Sequence, residues 1–428
     1  MDEIVQKKLK ILILSDPLSI HTIRWVSQLK NTGWEVKVLC PIPPRWKDWT
    51  SRKFQSAMST ISSKIAPINV LYGDFNIFYR TINYIQFIVR TVLIRMNLKY
   101  SFIDKLLDNI VKIIWKNILK ESLINYCPDI VHSLGLNQSW RNLCQPILEQ
   151  RKKGVFLSPW IFSSWGTDLS FYPNLSSQNL EDVKAVVSTI DFYIAESKFD
   201  YERAIQLGFN GKFLGYFPAF GGMEIEKMIR YKEPGFTSDR KIIYIKGRGT
   251  EDPVGKAMII MNAIEELAGM LHDYQILIGQ ATESIRQKTL KIKEKYGLEI
   301  KIVPFLEDPD AVLNYVGFSK VFISITSNDG LPASLVESML MGAFPIFSNL
   351  PSISEWIKHG ENGFLLDLEC PDKLVNYLRQ ALEDNNLVNH AAKLNADIIQ
   401  EKLEYKRIRE RVISMYQSVN KKRIFFNM

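Results

Sequence analysis

Two carboxylates stand out in SNDGLPASLVESMLMGAF, residues 327 to 344: Asp329 in a Gly-Pro turn, and Glu337 inside the apolar run that follows. Burying an unpaired charge is costly, so Glu337 either faces water or waits for a partner. Leu335, Met339 and Leu340 form the apolar stripe of a helix, and Glu337 lies off that stripe within two turns of the start. A carboxylate so placed can accept hydrogen bonds from the adjacent hydroxyls of a sugar such as ribose. Gly330 permits close backbone approach, its neighbouring N–H groups can hold an anion, and Pro332 suits a first helical turn. A second stretch, IKGRGTEDPVGK, offers matching cations. Gly247 lets the chain approach a ligand, and Arg248 and Lys256 stand near a predicted helix start, where the helix dipole already favours anions.

These groups need elements to position them. KLKILILSD reads as a buried strand, SIHTIRWVSQLKNTGW as a helix with Ile23, Val26 and Leu29 on one face, and EVKVLCP as a second strand. DIVHSL, GVFLSP and DFYIAES continue the series of strands. Residues 218 to 240, rich in Gly, Pro and charge, mark a domain junction. A second series follows: strands in KIIYIKG, YQILIG, EIKIVPF, KVFISIT and FPIFS, and helices in KAMIIMNAIEEL, DPDAVLNYVGF and PASLVESMLMG. The expectation is an α/β protein with two doubly wound sheets, each binding ligands at the carboxyl ends of its strands. The expected domains are 1–218, 219–403 and a final amphipathic helix, 404–428, packing back on the first domain. The first strand ends in SDPLSIH rather than GxGxxG, which argues against a dinucleotide enzyme.

The chain of 428 residues is too long for one core, and two domains are the natural prior. A hydrophobic content of 46% and 23% charged residues are ordinary for a globular protein. The net charge of +8 asks for an acidic partner: nucleic acid, anionic lipid or a phosphorylated metabolite. No groove-reading or single-strand motif accompanies the basic residues, so nucleic acid is not expected. Cys40, Cys127, Cys144 and Cys370 are scattered without a CxxC pair, as suits reduced cytoplasmic thiols. No uncharged apolar run reaches the length of about 18 residues that a membrane span needs. Residues 75 to 120 mix aromatics and aliphatics with repeated Arg and Lys. They suit either outer helices of the first domain or peripheral contact with an anionic membrane at its inner face. Asp308-Pro309-Asp310 has the D-x-D form of a metal site but reads as a helix cap, and no metal is expected.

The stretch from Ile325 to Leu366 resembles the donor-binding motif of family-four retaining glycosyltransferases of the GT-B fold. D-G-L-P-A-S-L-V-E-S is similar to that family's E-G-x-P-x-x-x-x-E-A, with Asp329 and Glu337 at the two acids, and EWIKHGENGFLL is similar to the segment that follows it, around Glu355 and Gly363. GRGTEDPVGK resembles its G-R-x-K loop at Gly247, Arg248 and Lys256, with a longer spacing. SIHTIRWVSQLKNTGWEVKVL, PDIVHSL, SSWGTDL and AESKFDYERAIQLGF resemble its acceptor-domain segments in order.

The resemblance implies two Rossmann-like domains facing a central cleft, and hexosyl transfer from a nucleotide-diphosphate sugar to a lipid-linked or polysaccharide acceptor with retention at the anomeric carbon. It assigns Glu337 to the ribose and Arg248 with Lys256 to the diphosphate. Asp329 and the backbone through Gly330 and Leu331 fall to the donor sugar, and the backbone at Phe305 and Leu306 to the base. His132 and Asp168 become acceptor-side catalytic candidates, with His21 comparable. The departures are Asp329, one methylene shorter than the usual Glu, Trp165 where many members carry His, and Leu134 where some carry a second His. Two rivals share the architecture: a sugar-nucleotide epimerase, and a catalytically degenerate member serving as a membrane or partner subunit.

Overall fold

A computed structural model describes residues 8–15, 19–39, 69–71, 119–135, 141–304 and 309–426. The chain divides into two compact units, one of residues 1–195, 201–221 and 409–428, the other of residues 196–200 and 222–408.

The first unit holds a sheet of seven strands: β1 Lys10–Leu14, β2 Glu35–Leu39, β3 Asn69–Leu71, β4 Ile130–Leu134, β5 Trp160–Ser163, β6 Phe192–Ala195 and β7 Lys212–Tyr216. Their spatial order is β3-β2-β1-β4-β5-β6-β7 and every pairing is parallel. The direction of winding reverses between β1 and β4, as in a doubly wound sheet. The central strands are mostly apolar because helices cover both faces. β4, β5 and β6 are buried at every residue.

The second unit repeats the plan with six strands: β8 Ile242–Lys246, β9 Gln275–Gly279, β10 Ile300–Ile302, β11 Ser319–Ser324, β12 Phe344–Ser348 and β13 Phe364–Leu366. Their order is β10-β9-β8-β11-β12-β13, again all parallel. The reversal here falls between β8 and β11. The core joins Ile243, Ile245, Ile276, Ile278, Val321 and Ile323 of the sheet to Ile260, Ile264 and Leu374 of the covering helices. The helix Ala333–Met341 buries Leu335, Val336, Met339 and Leu340 and leaves Glu337 half-buried.

The strand expected in GVFLSP lies later, at Trp160–Ser163. Residues 154–159 instead lead away from the helix Arg141–Lys152 through Gly154 in the left-handed region, φ +68°. The basic stretch 75 to 120 lies outside the described residues except for its last two positions, and Phe305, Leu306 and Asp308 lie outside them too. The helix after Asp308 begins at Pro309. Among the described residues no helix is long and apolar enough to cross a membrane.

Candidate active site

In a doubly wound sheet the crevice between oppositely running connections opens at the carboxyl ends of the two strands flanking the reversal. In the second unit those are β8 and β11. The basic loop follows one, and the turn carrying Asp329 follows the other.

The loop from Gly247 to Lys256 is tied at both ends. Gly247 N–H donates to the Gly279 carbonyl at 2.7 Å, and the Ala257 N–H donates back to the Arg248 carbonyl at 3.0 Å. Arg248 Nε donates to Asp252 Oδ2 at 2.7 Å, while Asp252 Oδ1 accepts from the N–H groups of Val254 (3.0 Å) and Gly255 (2.9 Å). Burial works against the Asp252 carboxylate, but its bonds to Arg248 and to the Val254 N–H outweigh it and hold the carboxyl below the usual range. The loop also reaches sideways. Both Glu251 carboxylate oxygens accept from Ser284, at its N–H and its hydroxyl, each at 2.6 Å, in the first turn of the helix Glu283–Tyr296. The Ser284 hydroxyl is the main reason that the Glu251 carboxyl falls to about 2. Gly249 sits so close to that helix start that a Cβ would lie 2.5 Å from Ser284 Oγ and 2.6 Å from Thr282 Oγ1.

From the other strand, Ile325 O accepts from Lys256 N–H at 3.0 Å, and Ser327 N–H donates to Val254 O at 2.8 Å. The loop after β8 is thus stitched to the loop after β11, and Lys256 becomes the N-cap residue of the helix Ala257–Glu266. Asp329 Oδ1 accepts from Gly330 N–H at 3.0 Å, and the Asp329 carbonyl accepts from Ser352 Oγ at 2.8 Å. Burial raises the Asp329 carboxyl, against the pull of Lys246 and Arg248. Gly330 and Leu331 are buried beside it. Pro332 occupies the N-cap position, φ −68° and ψ 128°, one residue ahead of the expected first turn. Glu337 faces Tyr244 of β8, whose phenol is pushed up to about 12 by burial first and by Glu337 second.

Sequence reasoning named Gly247, Arg248, Lys256, Asp329, Gly330, Leu331 and Glu337, and all lie on the β8 and β11 connections or on the helix that follows β11. It missed two charged neighbours. Asp252 ties down Arg248, and Lys246, the last residue of β8, has an ammonium in the electrostatic reach of Asp329, Arg248, Glu337 and Asp252. A lysine ending an otherwise apolar strand was the available signal for the second. Among the described residues no group of three or more His, Cys, Asp or Glu is placed to hold a metal ion.

The two acceptor-side candidates, His132 and Asp168, lie in the first unit. His132 lies on β4, fully buried. Its Nδ1 is 2.6 Å from Tyr416 Oη and its Nε2 is 2.8 Å from Ser163 Oγ. Trp25 Nε1, a donor only, gives its proton to Tyr416 Oη at 3.1 Å. Every group in this chain is satisfied when the tyrosine hydroxyl donates to Nδ1 and Nε2–H donates to Ser163. Both ring nitrogens are used within the core, and burial pulls the His132 ring down to about 3, which favours its neutral form. Asp168 is buried in the turn after β5. Its Oδ2 accepts from Trp165 N–H at 2.7 Å and its own N–H donates to the Trp165 carbonyl at 2.8 Å, so it closes that turn. Trp165 packs on Gly135, where a Cβ would come within 2.9 Å of the ring, and stands 5.4 Å from the His21 ring. Glu355 accepts from Lys198 N–H at 2.8 Å.

Two doubly wound parallel sheets in separate units define the GT-B class of α/β protein. Several solved structures share the fold. HepE from Anabaena, crystallised with UDP-glucose, is 15% identical, covers 96% of this chain and 100% of its own, and has a TM-score of 0.63. A sucrose-phosphate synthase from Thermosynechococcus elongatus is 14% identical over 96% of this chain and 99% of its own, with a TM-score of 0.68. A glycosyltransferase from Rickettsia africae is 14% identical over the same shares, with a TM-score of 0.61. No curated protein sequence matches significantly. Residues 235–400 match the family profile "Glycosyl transferases group 1", and residues 10–86 match "Glycosyl transferase 4-like". The chain is a glycosyltransferase, with its group 1 match confined to residues 235–400.

Proposed function

We propose that this enzyme moves a hexosyl group from a nucleoside-diphosphate sugar to a lipid-linked or saccharide acceptor, with retention at the anomeric carbon. The observation that carries the reading is the meeting of Arg248, Lys256, Asp329 and Glu337 on the connections after β8 and β11. HepE, whose fold this chain shares, was crystallised with UDP and with UDP-glucose, which supports a nucleotide-sugar donor.

The chemistry follows from charge. When the glycosidic bond breaks, the leaving nucleoside diphosphate gains negative charge, and preorganised cations lower the energy of that state. Arg248, oriented by Asp252, and Lys256, at a helix N-terminus, serve this need. Glu337 receives the ribose hydroxyls. Asp329, with the Gly330 and Leu331 backbone, faces the donor sugar, and Phe305 and Leu306 receive the base. No metal enters the scheme. Peripheral contact with the inner face of a membrane, through residues 75 to 120, would bring a lipid-linked acceptor within reach. Titration calorimetry with uridine and guanosine diphosphates tests the donor site. One of them is expected to bind, and release of that diphosphate from its sugar conjugate should require an acceptor. Binding of neither would refute the reading.

A further inference from the structure

We propose that Lys246 is a donor-positioning residue: a third cation beneath the diphosphate site that orders Asp329 and Glu337 and makes the pocket electrostatically able to accept an anion. The inference rests on the donor-site reading above.

Lys246 ends β8, with its side chain part-buried. Its ammonium lies 3.5 Å from Ser334 Oγ in the first turn of the helix Ala333–Met341. Ser334 and Glu337 are three residues apart and share one helix face. Tyr244, two residues back along β8, projects to the same side of the sheet as Lys246 and meets Glu337 electrostatically. Lys246 therefore spans from the strand to the helix face that carries Glu337, under the turn that carries Asp329. Burial first, with Arg248, holds the Lys246 ammonium below its ordinary pKa, while Asp329, Glu337 and Asp252 oppose that pull.

The balance of charge shows why such a group is needed. The charged groups acting on Lys246 are three carboxylates, Asp252, Asp329 and Glu337, and one cation, Arg248, which is already paired to Asp252. That excess of negative charge would repel a diphosphate. Lys246 offsets part of it, so the ligand's own charge meets a weaker opposing field.

Calorimetry with uridine and guanosine diphosphates on the full chain tests this, using Lys246→Met, Lys246→Arg, and Lys246→Met combined with Asp329→Asn. Lys246→Met is expected to weaken diphosphate binding roughly tenfold or more, as loss of one nearby charge at intermediate dielectric implies. Lys246→Arg should stay within a few-fold of the parent. Adding Asp329→Asn to the methionine variant should recover much of the loss, because removing the carboxylate removes the need for its countercharge. Lys246→Gln replaces the methionine variant if thermal unfolding shows that one to be unfolded. Binding by Lys246→Met within about twofold of the parent, while Glu337→Ala loses affinity, would overturn the inference and leave the donor site standing. A loss that Asp329→Asn does not recover would also overturn it, since a merely structural lysine behaves that way. If the parent binds neither diphosphate, the donor-site reading fails and the inference fails with it.

Discussion

His132 supplies a prediction that separates a structural histidine from a catalytic one. The folded ring is neutral and burial holds its pKa near about 3, whereas an exposed imidazole in the unfolded chain titrates at 6.5. Between those values the unfolded chain binds one more proton than the folded one. Stability contributed by this site is therefore fully present above the unfolded value and is lost as pH falls through 6.5 toward 3, with a slope of about 1.4 kcal/mol per pH unit. Moving from about pH 7.5 to about pH 5 should thus cost about 2 kcal/mol through this ring alone. Urea unfolding, followed by tryptophan fluorescence, measures the change in the parent and in His132→Gln. Trp25 and Trp160 are both buried in the unit that holds His132. Other titrating groups cancel in the difference between the two proteins, so the parent should lose about 2 kcal/mol more than the variant over that span. Equal pH dependence would refute the buried neutral ring. So would a His132→Gln protein that folds like the parent but transfers no sugar, because that outcome belongs to a group touching the reacting atoms.

Four further outcomes follow. Glu337→Ala should weaken binding of the cognate nucleoside diphosphate by about 1.5–3 kcal/mol, the cost of losing a hydrogen bond to a charged group, and unchanged calorimetric affinity would remove Glu337 from the ribose site. Asp252→Ala releases Arg248 Nε and two backbone N–H groups, so it should lower donor affinity more than Asp252→Asn, which keeps an acceptor for the N–H pair; equal losses would show that the ion pair alone matters. Gly249→Ala forces a Cβ against Ser284 and Thr282 and should cost about 1–3 kcal/mol of stability along with donor affinity, read by thermal unfolding and calorimetry. The parent should float with anionic vesicles at low salt and be released as salt rises, and absence of flotation at low salt would remove the membrane reading of residues 75 to 120.

What the sequence disclosed and what it concealed divide along the distance between partners. The central strands were legible because a parallel strand covered on both faces is a mostly apolar run, and ILIL, IVHSL and VFIS carry that mark locally. The donor-site groups were legible for a related reason. A turn and the helix after it fix Asp329 against Glu337, and the loop after β8 fixes Arg248 against Lys256, all within short stretches. β7 escaped notice because it is an edge strand whose residues are exposed or half-buried, so no apolar run announces it. β5 was displaced because VFL and WIF are equally apolar, and only the left-handed turn at Gly154 decides between them.

The missed roles depend on contacts that no local pattern encodes. Lys246 meets Ser334 from 88 residues away, and His132 meets Tyr416 across 284. A lysine at a strand end reads as the point where a strand reaches water, and a histidine after a strand reads equally as ligand or core. The parallel pairing of β8 with β11 turns the first into a part-buried countercharge. The packing of Tyr416 against β4 turns the second into a link in a chain of hydrogen bonds from Trp25 to Ser163. Burial sets the role of each group, and the chain's long-range topology sets burial. A polar residue at the carboxyl end of a sheet strand can therefore be read for function only after its neighbouring strands are known.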